Sequence, residues 1–273
     1  NKFVWTTNFN ISTYRNKVTK LGTEGNPIYS GNNITQIGQP MGMFYGLISD
    51  GVFMNQAELD AGPSYNPTGA DRSRVGDRRF LDVSGPDGVP DGIISSDDYT
   101  IMGSPYPDFY YGMTHNFSYK NVSLFVSLYG SQGGQIYMYS RDGNNSGRGR
   151  VRTLMFNKDY WKSEAEPGDG WAPRPNDSPT GGNRLAGSHW LDKASFLRIS
   201  NITLAYDFSK HTLQRTGVNS LRIYLSARNP FLITKYTLWN PEDSNSTNPL
   251  QPGRENGDYP LSKGLMIGLN IGF

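Results

Sequence analysis

Oxygen-bearing side chains crowd into one short stretch of this 273-residue chain, DVSGPDGVPDGIISSDD, and Asp82, Ser84, Asp87, Asp91 and Asp98 among them have the spacing of ligands. Closely spaced oxygens, glycines for sharp bends, an apolar anchor at Ile94 and a distal acid are what a hard cation such as Ca2+ requires. The pattern is incomplete, because Gly85-Pro86 interrupts its first half and Val89 stands where a ligand belongs. Two successive turns built from Pro, Asp and Gly for their backbone angles account for the same residues. Ca2+ at the Asp82 to Asp98 loop and a metal-free double turn therefore both stay open, and no other cofactor is required. Asp87 and Asp91 as the acid and base of glycoside hydrolysis would need an apolar wall to raise one pKa, and a Gly/Pro-rich loop does not supply it. His115, His189 and His211 show no ligand spacing, and with no Cys there is no thiol nucleophile. The chain reads as a non-enzyme.

Binding is the other chemistry on offer. Tyr160, Trp161, Trp171 and Trp190 fall in one long connection, where exposed aromatic faces could stack on sugar rings; packing between loops, or against a partner, uses them equally well. Arg148, Arg150 and Arg152 follow a Gly/Asn/Ser run and read as a solvated loop tip. The net charge of +2 with only 18% charged residues excludes a nucleic-acid polyelectrolyte.

These residues need a scaffold, and it is not helical. Gly 32 and Pro 17 suit strands and turns, and 13% aromatic residues suit strands further. Phe3, Trp5, Thr7, Phe9 and Ile11 alternate with Val4, Thr6, Asn8 and Asn10. The period of two returns at Phe109, Tyr111, Met113, Phe117 and Tyr119, then after a tight turn at Lys120-Asn121 with Val122, Leu124, Val126 and Leu128. A further run carries Ile202, Leu204, Tyr206 and Phe208, but Leu197 and Ile199 lie on the other parity, which predicts a bulge near Ser200 and Asn201. Leu221, Ile223, Leu225 and Ala227 follow, and Leu265, Ile267, Leu269, Ile271 and Phe273 close the chain. Strands are expected near 2–14, 108–119, 122–137, 194–209, 219–236 and 261–273, with long connections near 15–107, 140–193 and 237–260.

Short turns alternating with long connections is the asymmetry of an outer-membrane barrel. The faces opposite the apolar ones carry Gly, Ser, Thr, Asn and a few Arg instead of the Lys and Glu of a water-washed sandwich. By parity Asn116, Arg222 and Arg228 would face a lumen. Each strand has roughly the 9–11 residues that cross a bilayer at a tilt. The fold class expected is all-β: antiparallel up-and-down strands forming part of a larger transmembrane barrel, since a few strands with open edges cannot stand in lipid. The N-terminal residues lack the charged and apolar regions of a signal peptide, and the chain begins inside a strand-like pattern. The alternative is a soluble or surface-attached β-sandwich that binds glycan; a plug-free, porin-like channel is a third reading.

Five stretches, in order, resemble the C-terminal portion of SusC/RagA-type TonB-dependent outer-membrane transporters of Bacteroidetes: Gly38 to Phe53, Gly76 to Gly112, Lys193 to Phe208, Ser220 to Glu242 and Tyr259 to Phe273. The resemblance implies a roughly 22-stranded barrel, with long extracellular loops. It also implies a plug domain and a TonB-contacting segment supplied by sequence other than this chain. The partners implied are a SusD-like surface lipoprotein that lids the barrel and the TonB complex; the cargo implied is oligosaccharide or peptide. The terminal Leu265, Ile267, Leu269, Ile271 and Phe273 resemble the strand signal read by the insertion machinery through β-augmentation. The family's Asp-rich loop has a simpler Asp-x-Asn-Gly-Asp-Gly form, here expanded by a second Pro-Asp-Gly turn.

Overall fold

The computed structural model describes residues 2–138, 159–174, 181–214, 217–242, 248–255 and 260–273. Arg148, Arg150 and Arg152 lie outside the described residues. Six long strands carry the architecture: β1 (Val4–Ser12), β2 (Pro107–Tyr119), β3 (Val122–Gly133), β4 (Phe196–Asp207), β5 (Ser220–Thr234) and β6 (Gly264–Gly272). They form one sheet in chain order, every neighbouring pair antiparallel. This is the up-and-down meander that the alternation predicts. The register shifts between Ile199 and Asn201, where the apolar parity changes. There Ser200 leaves the ladder's side-chain order and its hydroxyl donates to the carbonyl of Ser127 at 3.1 Å.

One row of cross-strand partners runs Trp5, Phe117, Leu124, Leu204, Leu225, Ile267. The adjacent row, on the opposite face because successive strand residues alternate, runs Thr6, Asn116, Phe125, Thr203, Ser226, Met266. Burial is inverted relative to a water-soluble sheet. Apolar Leu204, Ile223 and Leu269 are 48%, 37% and 59% exposed, whereas Ala205, Ser226 and Arg198 on the polar face are 2%, 8% and 4% exposed. A soluble sandwich would lay a second sheet over Leu124, Leu204, Ile223 and Leu269. Among the described residues nothing seals that face. No described helix is long and apolar enough to cross a membrane.

The buried core lies in the connections and not in the sheet. Phe44, Tyr137 and Trp190 form one cluster, Leu47, Phe80 and Ile94 a second, and Ile136, Met138, Ala194 and Tyr236 a third. The first and third draw on more than one connection, and Leu185 of the connection after β3 packs against the second, so these segments fold together as a loop layer at one end of the sheet. Its strands are short: Ile28–Ser30, Asn33–Thr35, Met43–Gly46 and Thr100–Gly103 make one small sheet, and Ser49–Val52 pairs with Arg78–Phe80. A helical turn at Gln56–Ala61 is capped by Asn55, whose side chain accepts from the Glu58 amide. The strand expected over 122–137 is corrected here. Gly133 and Gly134 both take positive φ (83° and 70°), a region open to Gly at no steric cost, and the chain turns out of the wall. Gln135–Met138 then pairs with Leu191–Lys193 and Arg254–Glu255 within the loop layer.

Bare backbone matters at Gly130, a buried wall position. A Cβ there would collide with the Phe196 carbonyl oxygen and the Tyr111 hydroxyl, which donates to that same carbonyl at 3.2 Å. Gly130→Ala is expected to cost about 1–3 kcal/mol by overpacking, read as a lower urea midpoint in detergent or vesicles. An unchanged midpoint would mean the Tyr111 ring moves aside freely.

Candidate functional site

The polar face is the surface a solute would meet. A row across it joins Asn8, Thr114, Ser127, Asn201 and Arg228, and Asn8 donates weakly to Thr114 at 3.4 Å. Asn116, Arg222 and Arg228 all lie on this face, in different rows. Asn116 and Arg228 are exposed. Arg222 donates to the Ser123 hydroxyl at 3.1 Å and stands 3.6 Å from Asp207; both ends of that pair meet water, so it adds little stability. The Thr203 hydroxyl lies within hydrogen-bonding distance of Asn201 and Ser226, at 2.8 and 2.9 Å, which satisfies the polar groups held within the wall.

At the loop-layer end this face bounds a cavity of about 590 Å³, between Asn10, Tyr110, Thr114 and Tyr129 on the wall and Pro241 and Glu242 of the connection after β5. A clasp holds that connection to the wall. Glu242 accepts from the Tyr129 hydroxyl at 2.6 Å and from Arg198 Nε at 2.6 Å, while Arg198 Nη2 donates to Asn240 Oδ1 at 2.9 Å. Neither Arg198 nor Glu242 stands among the residues picked from the sequence. Parity does place Arg198 inward, opposite the side of Leu197 and Ile199, but its partner is distant in the chain.

The four aromatic candidates do not form a platform. Trp161 packs over the bare backbone of Gly76 and its indole N–H donates to the Met54 carbonyl at 3.0 Å. Trp171 lies under the Arg78 guanidinium, 5.5 Å from ring centre to Cζ. Tyr160 remains exposed, with Lys162 over its ring. Trp190 is a correction: at 7% exposure it belongs to the core with Phe44 and Tyr137 and offers no face to a solute. Aromatic size favours burial wherever loops pack together.

The acidic stretch is likewise organised by its own backbone. Asp98 is fully buried and caps the turn at Ser96–Asp98; Oδ1 accepts from the Val83 amide at 2.8 Å and Oδ2 from Ser95 at 2.8 Å. Asp82 accepts from the Gly92 amide, and Asp91 from Ile93 at 2.9 Å. Asp87 points away, exposed, and Ser84 donates only weakly to Gly85. Among the described residues no three acidic or imidazole groups come together as a metal site. Within Asp82, Ser84, Asp87, Asp91 and Asp98, both Asp98 oxygens are taken by backbone amides, while Asp82 Oδ1 is buried without a hydrogen-bond partner.

Leu265, Ile267, Leu269 and Ile271 line one face of β6, which among the described residues pairs with β5 alone. Phe273 is 86% exposed beyond its end.

Sequence spacing gave no sign that a histidine is buried in the loop layer. His189 is 6% exposed, with its ring against Phe80 and Trp190. Burial, and then the charge of Arg78, hold its pKa well below the usual histidine value. Folding therefore buries a neutral ring. Its contribution is full above the unfolded value of about 6.5 and is lost as pH falls toward the folded value, by about 1.4 kcal/mol per pH unit. Loop-layer stability should accordingly fall between pH 7 and pH 5, read by protease resistance, and His189→Phe should flatten that slope.

The chain aligns along 99% of its length, at 29% identity, with a TonB-dependent receptor of Formosa agariphila, and at 28% with the TonB-dependent receptor SusC of Bacteroides thetaiotaomicron. The chain is similar to SusC-type TonB-dependent receptors over almost its whole length. It spans about a quarter of the curated receptors it matches, 27% of the first and 24% of SusC. No protein-family model matches it. Its fold is that of a chain in the RagAB peptide importer in the open-open state, with a TM-score of 0.72 at 22% identity, covering 99% of this chain and 27% of that one. The shared fold agrees with the exposed apolar face of the meander.

Proposed function

We propose that residues 1–273 form wall strands and outward loops of a TonB-dependent nutrient importer in the bacterial outer membrane. It takes up oligosaccharide or peptide with a SusD-like lipoprotein over its mouth and the TonB complex as energy source. One observation carries this reading: a six-stranded meander whose apolar face is exposed, with no described element over it, and whose opposite face is polar. Hydrocarbon covers such a face without a second protein layer, and every backbone group of a closed barrel is paired. The similarity to SusC-type receptors and the fold shared with a peptide importer support transport, through a lumen lined by Asn116, Arg222 and Arg228, over bond-breaking chemistry. Residues 1–273 contain no Cys, so a cysteine introduced among them is the single thiol of this stretch. Ile267→Cys should react with a lipid-phase reagent and resist a membrane-impermeant maleimide, and Asn116→Cys should do the reverse. Cells lacking the protein should lose energy-dependent uptake of its cargo. Release of the protein from cells by buffer or salt alone would overturn the reading.

A further inference from the structure

The loop layer buries a cation that has no counter-charge among the described residues. Arg78 is 2% exposed. Burial lowers its pKa only to about 9, so at neutral pH the guanidinium keeps its proton. Its Nε has no acceptor, and the side chain's polar contact is Nη1 donating to the Ser49 hydroxyl at 3.3 Å. The adjacent carboxylate, Asp77, is already taken: it accepts from Arg174 Nε at 2.8 Å, Asn183 at 2.9 Å and the Arg74 amide at 2.9 Å. Next to this charge stands His189, with neither ring nitrogen partnered. The two residues come from different connections, stitched by the Ser49 amide donating to the Ser188 hydroxyl at 2.9 Å and by Ser188 N to Leu47 O at 2.9 Å. A buried, unpaired charge costs several kcal/mol unless something neutralises it, and a guanidinium does not escape by losing its proton.

We propose that a small monovalent anion of chloride size binds between Arg78 and His189 and ties the first long connection to the second. Arg78 Nε–H and one imidazole N–H are its donors, and the Trp171 face shields the guanidinium from the other direction. The packing selects for size. A Cβ on Gly187 would come within 2.7 Å of His189 Nδ1 and 2.9 Å of the Phe80 ring, so the surroundings of the imidazole are tight and a bulky anion is disfavoured.

Bromide is the probe. Crystals of the detergent-purified protein grown in sodium bromide should show an anomalous peak within hydrogen-bonding distance of Arg78 Nε. In solution, replacing chloride by gluconate should speed proteolysis of the loop layer, and chloride should restore resistance saturably, by about tenfold at ten times its Kd. Arg78→Met, a well-packed apolar replacement, should remove the halide dependence. Bromide found only at surface positions, an adventitious ion only, would overturn the proposal. So would protease resistance indifferent to halide, or halide dependence that survives in Arg78→Met. If that variant does not fold, the anomalous map of the unaltered protein decides.

Discussion

Leu225→Arg is expected to destabilise the wall by about 2–4 kcal/mol, the cost of a guanidinium facing lipid near the bilayer midplane. Leu225 sits near the middle of β5, and its row partners are Leu204 and Ile267. None of the described elements covers it, and it is 42% exposed. The control is Asn116→Arg, on the opposite face, where water or polar neighbours solvate the charge and the change should be within a few tenths of a kcal/mol for a surface position. Heat-modifiable mobility on gels and urea unfolding in vesicles both read the difference. Equal effects from the two variants would mean that the faces are not lipid and lumen, and the transport reading would go with them.

The second large effect is expected inside the loop layer. Asp77 is fully buried and gathers Arg174, Asn183 and the Arg74 amide around one carboxylate. Asp77→Ala strands the Arg174 guanidinium and two further donors, a loss of about 3–5 kcal/mol when one partner of a buried pair is removed. The wall strands make no contribution to this network, so the damage should be local: rapid proteolysis within the layer, with the sheet's heat-modifiability retained. Lys162→Ala, which removes exposed pairs with Asp159 and Glu166, should leave proteolysis unchanged. If Asp77→Ala were equally silent, the buried ion pair would not hold the connections together.

The wall was legible in the sequence because lipid imposes a strict rule, apolar at every second residue, over strands of nine to fifteen residues. Even the irregularity at Ser200 could be read, since a bulge must switch parity. The loop layer obeys no such rule. Its strands are two to four residues long, too short for periodicity, and its decisive partners are far apart: Asp77 with Arg174, Arg198 with Glu242. Trp190 and Trp161 look alike in sequence, and only tertiary packing decides which is buried. At the acidic turns one local signal was available, Ser95 three residues before Asp98, the spacing of a capping box. It marks Asp98 as a partner of the backbone.

The inverted burial of the sheet has a consequence for how this molecule tolerates change. Lipid tails are fluid and conform to whatever hydrocarbon shape they meet, so exchanges among Leu, Ile, Val and Phe at Leu204 or Ile267 carry no jigsaw constraint. At Phe44 and Tyr137, whose neighbours are fixed protein atoms, a change of one methylene is felt. Drift should therefore be freest on the greasy exterior and most restrained in the folded crown above it, the reverse of the usual expectation that loops wander and barrels stay put.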